Sequence, residues 1–272
     1  IRHIAPDNLK DRALMKVVYV VLEPQYQSAL SSAVNAINDN NPNLAIEISG
    51  YLIEELRDPQ NYEAFKEDIA QANIFIASLI FIEVLADKLV EAVKPHRDRL
   101  DAAVIFPSMP QVMRLNKMGS FSMAQLGQSK SMIGEFMKKR KKNSGAGFQD
   151  AMLKLLRTLP QVLKYLPVEK AQDARNFMLS FQYWLGGSSD NLENFLLMLA
   201  DKYVLEGKEA KNHVSYADPV VYPDMGIWHP LAPKMFEDVK EYLTWYNSRD
   251  DISDDIKDPL APCVGLVLQR TH

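Results

Sequence analysis

The sequence has one cysteine, no long hydrophobic run and no excess of positive charge. Cys263, alone among 272 residues, excludes an internal disulfide and a two-thiolate metal site. No stretch reaches the roughly 18 consecutive apolar residues of a membrane-spanning helix, and nothing at the start resembles a cleavable signal. With 31 basic and 35 acidic residues, the net charge of −4 offers no field to hold a polyanion. We therefore expect a reducing compartment, no transmembrane segment and no nucleic-acid partner.

Motifs of catalysis and cofactor binding are also missing. There is no GxxxxGK[ST] phosphate loop, and Gly145-Ala146-Gly147 follows a basic run rather than a strand. No two of the five histidines have the i, i+4 spacing that puts two metal ligands on one helical face, and neither HExxH nor GxSxG occurs. The sequence thus predicts no catalytic and no metal-ligating residue within this chain.

Residues 1–119 have the pattern of an α/β domain with a parallel sheet. Short runs rich in β-branched residues are apolar on both faces, which is typical of strands covered by helices on both sides. The predicted strands are Lys16–Leu22, Leu44–Ser49, Asn73–Ile82 and Ala102–Phe106. Between them, apolar residues recur at helical spacing. The two clearest stripes are Leu30, Ala33, Val34 and Ile37, and Leu85, Leu89, Ala92 and Val93.

Residues 120–150 change to Gly, Ser, Lys and Met, and we interpret them as a basic, flexible linker. Five adjacent cations repel one another and gain little by packing. They are Lys138, Lys139, Arg140, Lys141 and Lys142. Two interpretations stay open for this run: a solvated loop, or a docking site for an anionic surface of a partner protein.

Residues 151–260 are predicted to form a mainly helical domain. Three helical stripes precede residue 205, and the last two are separated by Gly186-Gly187-Ser188-Ser189. Asp190 with Glu193 has the spacing of a capping box. A further helix is indicated from Met235 to Tyr246, and residues 261–272 have the strand pattern that would start a following α/β domain.

A proline-punctuated segment holds the most suggestive cluster of side chains. Tyr222, Asp224, Trp228 and His229 bring two aromatic faces, a carboxylate and a potential axial imidazole close together in sequence. Apolar and aromatic walls with a few polar groups suit a flat macrocycle. However, Trp and His between prolines also serve as anchors to a core, and both interpretations stay open.

Two loops are further candidates because ligands of open α/β sheets bind beyond the carboxyl ends of the strands. Residues 23–26 follow the first predicted strand of this set, and residues 107–110 follow the last. Their sequences favour the alternative interpretation, an ordinary connecting role.

Several runs resemble the start of the large, porphyrin-binding (H-type) subunit of the magnesium chelatase family. They occur in the family's order between residues 16 and 272, and the longest is RDRLDAAVIFPSMPQVMRLNKMGSFSMAQLGQSKS, residues 97–131. Residues 183–204, YWLGGSSDNLENFLLMLADKYV, and DMGIWHPLAPKMF, residues 224–236, are similar to the family too. These last two segments also resemble the broader group that includes the cobalt chelatase large subunit. The overall character is most similar to cyanobacterial forms.

The resemblance implies a role in chlorophyll synthesis. The complete large subunit of this family binds protoporphyrin IX and receives Mg²⁺, while two smaller subunits, one an ATPase of the AAA+ class, drive insertion. Insertion requires Mg²⁺ to lose tightly held waters and two pyrrole protons to be removed by positioned bases. We expect those residues outside this chain, so that the chain alone is inactive and contributes no catalytic residue.

Two roles remain open for the chain within such a complex. In the first, it contributes a wall or lid of the porphyrin site, with Tyr222, Asp224, Trp228 and His229 near the pigment. In the second, it is a non-catalytic interaction or gating module that docks the partner subunits and does not touch porphyrin. The resemblance implies a cytoplasmic location in cyanobacteria or the plastid stroma in plants, with peripheral membrane association as a further option.

Overall fold

The computed structural model describes residues 2–9, 11–122, 160, 163–165, 168–205, 214–221, 225–229 and 231–252. The chain separates into two compact units, residues 1–221 and residues 222–272. The first unit contains a mixed α/β arrangement, and the described part of the second contains one helix and a short antiparallel bridge.

The first unit has a six-stranded sheet with helices on both faces. Its strands are β1 Arg2–Ile4, β2 Ala13–Val21, β3 Leu44–Leu52, β4 Ile74–Ser78, β5 Ala102–Ile105 and β6 Lys117–Met118. Its helices are α1 Gln25–Asn40, α2 Pro59–Gln71, α3 Glu83–Val93, α4 Pro110–Met113, α5 Glu169–Gly186 and α6 Ser189–Leu199. Short 3₁₀ turns follow β3 and α3, and a π turn, Ala200–Val204, follows α6.

The strand order is β1-β3-β2-β4-β5-β6. The four central strands are parallel, and β1 and β6 pair antiparallel at the two edges. From β2 the chain crosses to β3 on one side and then to β4 on the other, so the order reverses between β2 and β4. This reversal is the topological switch point, beyond whose carboxyl edge open α/β sheets bind ligands.

Two apolar layers enclose the sheet. Alternate residues of β2, such as Val17 and Tyr19, face a cluster that includes buried residues of α1, α5 and α6. The intervening residues, such as Val18 and Val20, face the cluster that includes α2 and α3. Both faces of the sheet are therefore buried from solvent, which explains why the central strands are apolar throughout.

The structure confirms the predicted α/β class and the parallel sheet. The apolar stripe of α1 is buried at all four predicted positions, and so is the stripe of α3. One predicted strand was too long, because β4 ends at Ser78 rather than continuing to Ile82. Leu79 leaves the extended conformation there, with a φ of 61°.

The boundary between α5 and α6 follows the predicted glycines. Gly187 ends α5 in the left-handed conformation, with a φ of 61°, which a residue without a Cβ adopts at low cost. The helix α6 begins at Ser189, and the Ser188 hydroxyl accepts a hydrogen bond from the Asn191 N–H at 3.2 Å. Ser188 is thus the N-cap, and the capping box predicted at Asp190 was placed two residues too late.

The described part of the second unit, residues 225–229 and 231–252, has little secondary structure. Ile227 and Phe236 form an antiparallel bridge, in which each N–H donates to the other residue's carbonyl oxygen with N···O distances of 2.7 and 3.0 Å. The helix α7, Val239–Asn247, starts where the Asp238 carboxylate accepts the Glu241 N–H. It overlaps the helix predicted from Met235 to Tyr246 but starts four residues later and ends one residue later, and its first residue, Val239, is exposed.

The predicted basic linker from residue 123 onward and the predicted terminal strand at 261–272 lie outside the described residues. The helices α5 and α6 contribute buried residues to the same apolar cluster as β2 and α1. The domain boundaries at residues 119, 150 and 260 stay predictions.

Candidate functional site

A tryptophan from α5 occupies the carboxyl edge of the sheet at the switch point. The Trp184 ring stacks on Tyr26, at a centroid distance of 4.4 Å, and on Phe106, at 4.6 Å. Its Nε1–H donates a hydrogen bond to Ser78 Oγ at 3.2 Å. These partners come from the first turn of α1 and from the ends of β5 and β4. The crevice where such sheets bind ligands is therefore filled by this chain's own aromatic side chains.

The loops at this edge are bonded to one another. Leu79 donates its N–H to Pro107 O at 3.0 Å, and Ile80 donates to Ser108 Oγ at 3.1 Å. Leu79 is the only described non-glycine residue with a positive φ, a conformation that costs a branched side chain about 1–3 kcal/mol. The turn buries Ile80 and leaves Phe81 57% exposed. The second predicted candidate loop, residues 107–110, is thus hydrogen-bonded to the turn that precedes the exposed side chains of Phe81 and Val84. We call this turn and loop, with Phe81 and Val84, the apolar platform.

Trp228 presents an exposed aromatic face in the second unit. Its side chain is 64% exposed, and Met225 and Leu231 beside it in sequence are exposed as well. Gly226 allows the close approach of this segment to the next, because a Cβ there would lie 2.8 Å from Phe236 O. Trp228 therefore presents an exposed ring face, and its place near porphyrin stays a prediction.

His229, next in sequence, points instead into a small aromatic cluster. Its ring lies edge-on to Trp245 at 5.2 Å and to Tyr246 at 6.0 Å. Its Nδ1 lies 3.1 Å from the Leu231 N–H, and its Nε2 lies 3.0 Å from Arg249 Nη1. Both neighbours are donors, whereas a neutral imidazole has one acceptor nitrogen. An axial role would require Nε2 to separate from Arg249.

Arg249 organises this cluster. Its guanidinium lies over the rings of Trp245, at 5.3 Å, and Tyr246, at 5.8 Å. It also forms a two-pronged ion pair with Asp251, and this hydrogen bonding holds the pKa of the Asp251 carboxyl below its usual value. The arrangement fixes the orientation of His229 while leaving the adjacent Trp228 outside the cluster.

The other predicted site residues lie outside the described part of the chain. These are Tyr222, Asp224, Lys138, Lys139, Arg140, Lys141 and Lys142. Within the described ranges, no three side chains of His, Cys, Asp or Glu come together as a metal site. In the same ranges, no helix combines the length and apolar character needed to span a membrane.

The sequence pattern did not indicate a buried hydrogen-bond network around Asp173. The Asp173 carboxylate of α5 accepts hydrogen bonds from Ser120 N, at 2.7 Å, and Ser120 Oγ, at 2.8 Å. The Tyr203 hydroxyl donates to its other oxygen at 3.1 Å. A Cβ at Gly119, whose φ is 54°, would lie 2.5 Å from this carboxylate. The network attaches α5 to the β6 turn and the π turn, which is a structural role.

Two family models match the chain. The model described as a domain of unknown function, DUF3479, matches residues 16–178, and the model described as CobN/Magnesium Chelatase matches residues 181–272. Together they extend from the second strand to the end of the chain. The boundary between them falls within α5.

Relatives from plants and bacteria carry related names. "Magnesium-chelatase subunit ChlH, chloroplastic" of Oryza sativa subsp. indica is 61% identical over 261 residues, which is 95% of this chain. The corresponding H-type magnesium chelatase protein of Rhodobacter capsulatus is 31% identical over 217 residues, which is 80% of this chain. The chain spans 18% of the length of each relative. Neither relative is cyanobacterial, so the expected likeness to cyanobacterial forms stays a prediction.

A solved structure, "Catalytic Subunit of Cobaltochelatase from Mycobacterium tuberculosis", is similar over 79% of this chain and 12% of its own. Its sequence identity is 11% and its TM-score is 0.38, so this likeness carries no argument.

Proposed function

The chain belongs to the CobN/magnesium chelatase family, and from this premise we propose that it is the N-terminal part of the large, porphyrin-binding (H-type) subunit. The complete subunit would insert Mg²⁺ into protoporphyrin IX in chlorophyll biosynthesis, as an ATP-dependent ligase that forms nitrogen–metal bonds. The observation that carries the proposal is the 61% identity with the rice protein over 261 residues. Mg²⁺ and protoporphyrin IX are substrates of the complete subunit, whose remaining length would hold the metal-insertion residues.

The chain's own role in this proposal is to supply part of the wall or lid of the porphyrin site. Trp228 would stack on the macrocycle, and the exposure of its ring within its own unit supports this role. His229 would orient the segment through its cluster with Arg249 rather than ligate a metal. Tyr222 and Asp224 complete the proposed porphyrin-proximal set.

The partners of the complex are the two smaller chelatase subunits, one of them an AAA+ ATPase that uses the ATP. The basic run Lys138–Lys142 would dock an anionic surface of a partner through counterion release and charge pairing. The proposed location is the plastid stroma or the bacterial cytoplasm, with peripheral attachment to membranes as a further option.

A second candidate role is an interaction or gating module that does not touch porphyrin. One observation favours it: Trp184 fills the switch-point crevice, while Phe81 and Val84 remain exposed beside it. Exposed apolar side chains on a hydrogen-bonded surface, such as those of the apolar platform, are typical of protein-docking sites.

The two roles differ in whether the chain binds porphyrin through Trp228. We would titrate the chain with protoporphyrin IX and follow porphyrin absorbance, comparing wild type, Trp228→Ala and a control, Phe81→Ala. Both aromatic side chains are mostly exposed, so thermal unfolding should change little in either variant. In the first role, Trp228→Ala weakens binding about two- to tenfold and Phe81→Ala leaves it unchanged.

Equal affinities for wild type and Trp228→Ala, or no binding at all, would contradict the wall role and favour the docking module. In either case, the chain mixed with the partner subunits, Mg²⁺, ATP and protoporphyrin IX should insert no metal. Product above a no-protein control would show that residues in this chain carry the chemistry.

A further inference from the structure

A groove of about 540 Å³ lies on the surface of the first unit, away from the residues discussed so far. Its floor is one face of α5, one side is formed by Pro160, Lys164 and Tyr165, and the other by Asp218, Pro219 and Val221. This volume falls in the range of small-molecule sites, about 300–1,000 Å³. The end of the chain stretch before α5, α5 itself and residues more than 30 positions later thus line one concave surface.

One side of the groove is fixed by paired amide hydrogen bonds. The Asn191 side chain donates to Val220 O and accepts from the Val220 N–H, both at 2.9 Å. Asn194 Oδ1 accepts the Ala217 N–H at 2.6 Å. The extended segment is therefore held against α6, and a ligand would not have to order it, which lowers the entropic cost of binding.

Arg175 lies on the floor of the groove, and among the described residues its side chain uses only part of its hydrogen-bonding capacity. Its side chain is 15% exposed, and its Nε–H donates to Pro160 O at 3.2 Å. Its Nη2 lies 3.8 Å from Asp218 Oδ1, which is beyond hydrogen-bond distance, and the Asp218 side chain is 75% exposed. A guanidinium offers five N–H donors, which suit a carboxylate bound by two of them. Asp218 can move into solvent and leave this position to a ligand.

The rest of the lining combines one more cation with apolar surface. Lys164 and the exposed ring of Tyr165 lie on one side, and Leu179 and Val221 contribute apolar walls. We propose that this groove binds an organic carboxylate with an apolar body, whose carboxylate pairs with Arg175 in place of Asp218. The proposal goes beyond the proposed chelatase role and does not depend on it.

Two substitutions should shift carboxylate affinity in opposite directions. Arg175→Gln removes the anchoring cation and should weaken binding of dodecanoate at least tenfold. Asp218→Asn removes the competing carboxylate and should tighten binding about three- to fivefold. Arg57→Gln serves as a control, because Arg57 is an exposed arginine paired with Glu54 outside the groove. Calorimetric titration measures each affinity, with dodecanol as the uncharged probe.

Protoporphyrin IX and its dimethyl ester form a second pair of probes, which identifies the source of the carboxylate. If the free acid follows the same two shifts and the ester does not, the ligand is a tetrapyrrole through its propionates. If only dodecanoate follows them, the groove binds simpler organic acids and the tetrapyrrole acts elsewhere. Either result supports the site.

The proposal fails if, for both dodecanoate and protoporphyrin IX, the affinity is not lowered by Arg175→Gln and raised by Asp218→Asn. It also fails if dodecanol binds as tightly as dodecanoate. Should Arg175→Gln prove unfolded by circular dichroism, Asp218→Asn still decides, because its exposed side chain has little part in the packing. An unchanged affinity in folded Asp218→Asn then overturns the proposal.

Discussion

The attachment of α5 to the carboxyl edge of the sheet depends on Trp184, and a double-mutant cycle with Ser78 tests it. Trp184 is 2% exposed and Ser78 is 3% exposed, so their hydrogen bond is buried from solvent. Ser78→Ala would leave the indole N–H buried without its acceptor, at a cost of about 1–3 kcal/mol. Trp184→Phe keeps an aromatic ring between Tyr26 and Phe106 but loses the hydrogen bond and some buried area. We expect about 2–3 kcal/mol for that variant.

The double variant should be less destabilised than the sum of the two single variants, by about 1–2 kcal/mol, because the second substitution removes a group already left unpaired. Urea unfolding followed by far-ultraviolet circular dichroism gives the four free energies of unfolding. Additive effects, within about 0.5 kcal/mol, would show that the two side chains are not coupled and would refute this attachment.

The remaining predictions concern Tyr19, whose buried hydroxyl has no hydrogen-bond partner in the described part of the chain. Tyr19→Phe should raise the free energy of unfolding at neutral pH by about 1 kcal/mol, and denaturant unfolding measures it. Burial raises the pKa of Tyr19 to about 12, so the neutral phenol's contribution is complete below pH 10 and is lost as the pH rises to 12. That loss is about 3 kcal/mol. An equal loss in Tyr19→Phe would show that the Tyr19 hydroxyl is not its source. Gly50→Ala places a Cβ 2.1 Å from the Tyr19 ring and should cost about 3 kcal/mol; unchanged thermal unfolding would contradict this contact.

Short-range sequence patterns were sufficient to predict the helices and strands whose formation depends on neighbouring residues. The stripe of α1 could be predicted because a helix buries whichever residues recur every three to four positions, and Leu30 and Ile37 follow that rule. The central strands could be predicted because both of their faces are covered. Pattern analysis also located Gly187 between two helices, since a glycine commonly ends a helix.

Features set by distant partners could not be predicted in this way. The strand β4 stops at Ser78 because Leu79 bonds to Pro107, which no local window contains. On α5, Leu185 is exposed and the neighbouring Trp184 faces the sheet, where its hydrogen-bond acceptor Ser78 lies 106 residues earlier in the chain. The groove around Arg175 likewise requires three segments to meet.

Trp228 and His229 show the same limit at the candidate site. Their adjacency in sequence suggested a shared role, whereas the structure turns one ring outward and packs the other against Trp245. The orientation depends on Arg249, twenty residues later, which contacts the imidazole. Sequence alone therefore indicated the segment as a candidate but did not distinguish the exposed side chain from the packed one.

The most direct test of the chelatase assignment is exchange of this region into the rice relative. A chimera would carry this chain in place of the matching 261-residue region, which is 61% identical, with the region-deleted rice protein as the control. The rate of Mg-protoporphyrin IX formation is measured with the partner subunits, Mg²⁺ and ATP. The account predicts a chimera rate within about tenfold of the rice protein, a barrier change below about 1.4 kcal/mol. A chimera that folds and binds its partners but inserts no metal would contradict it.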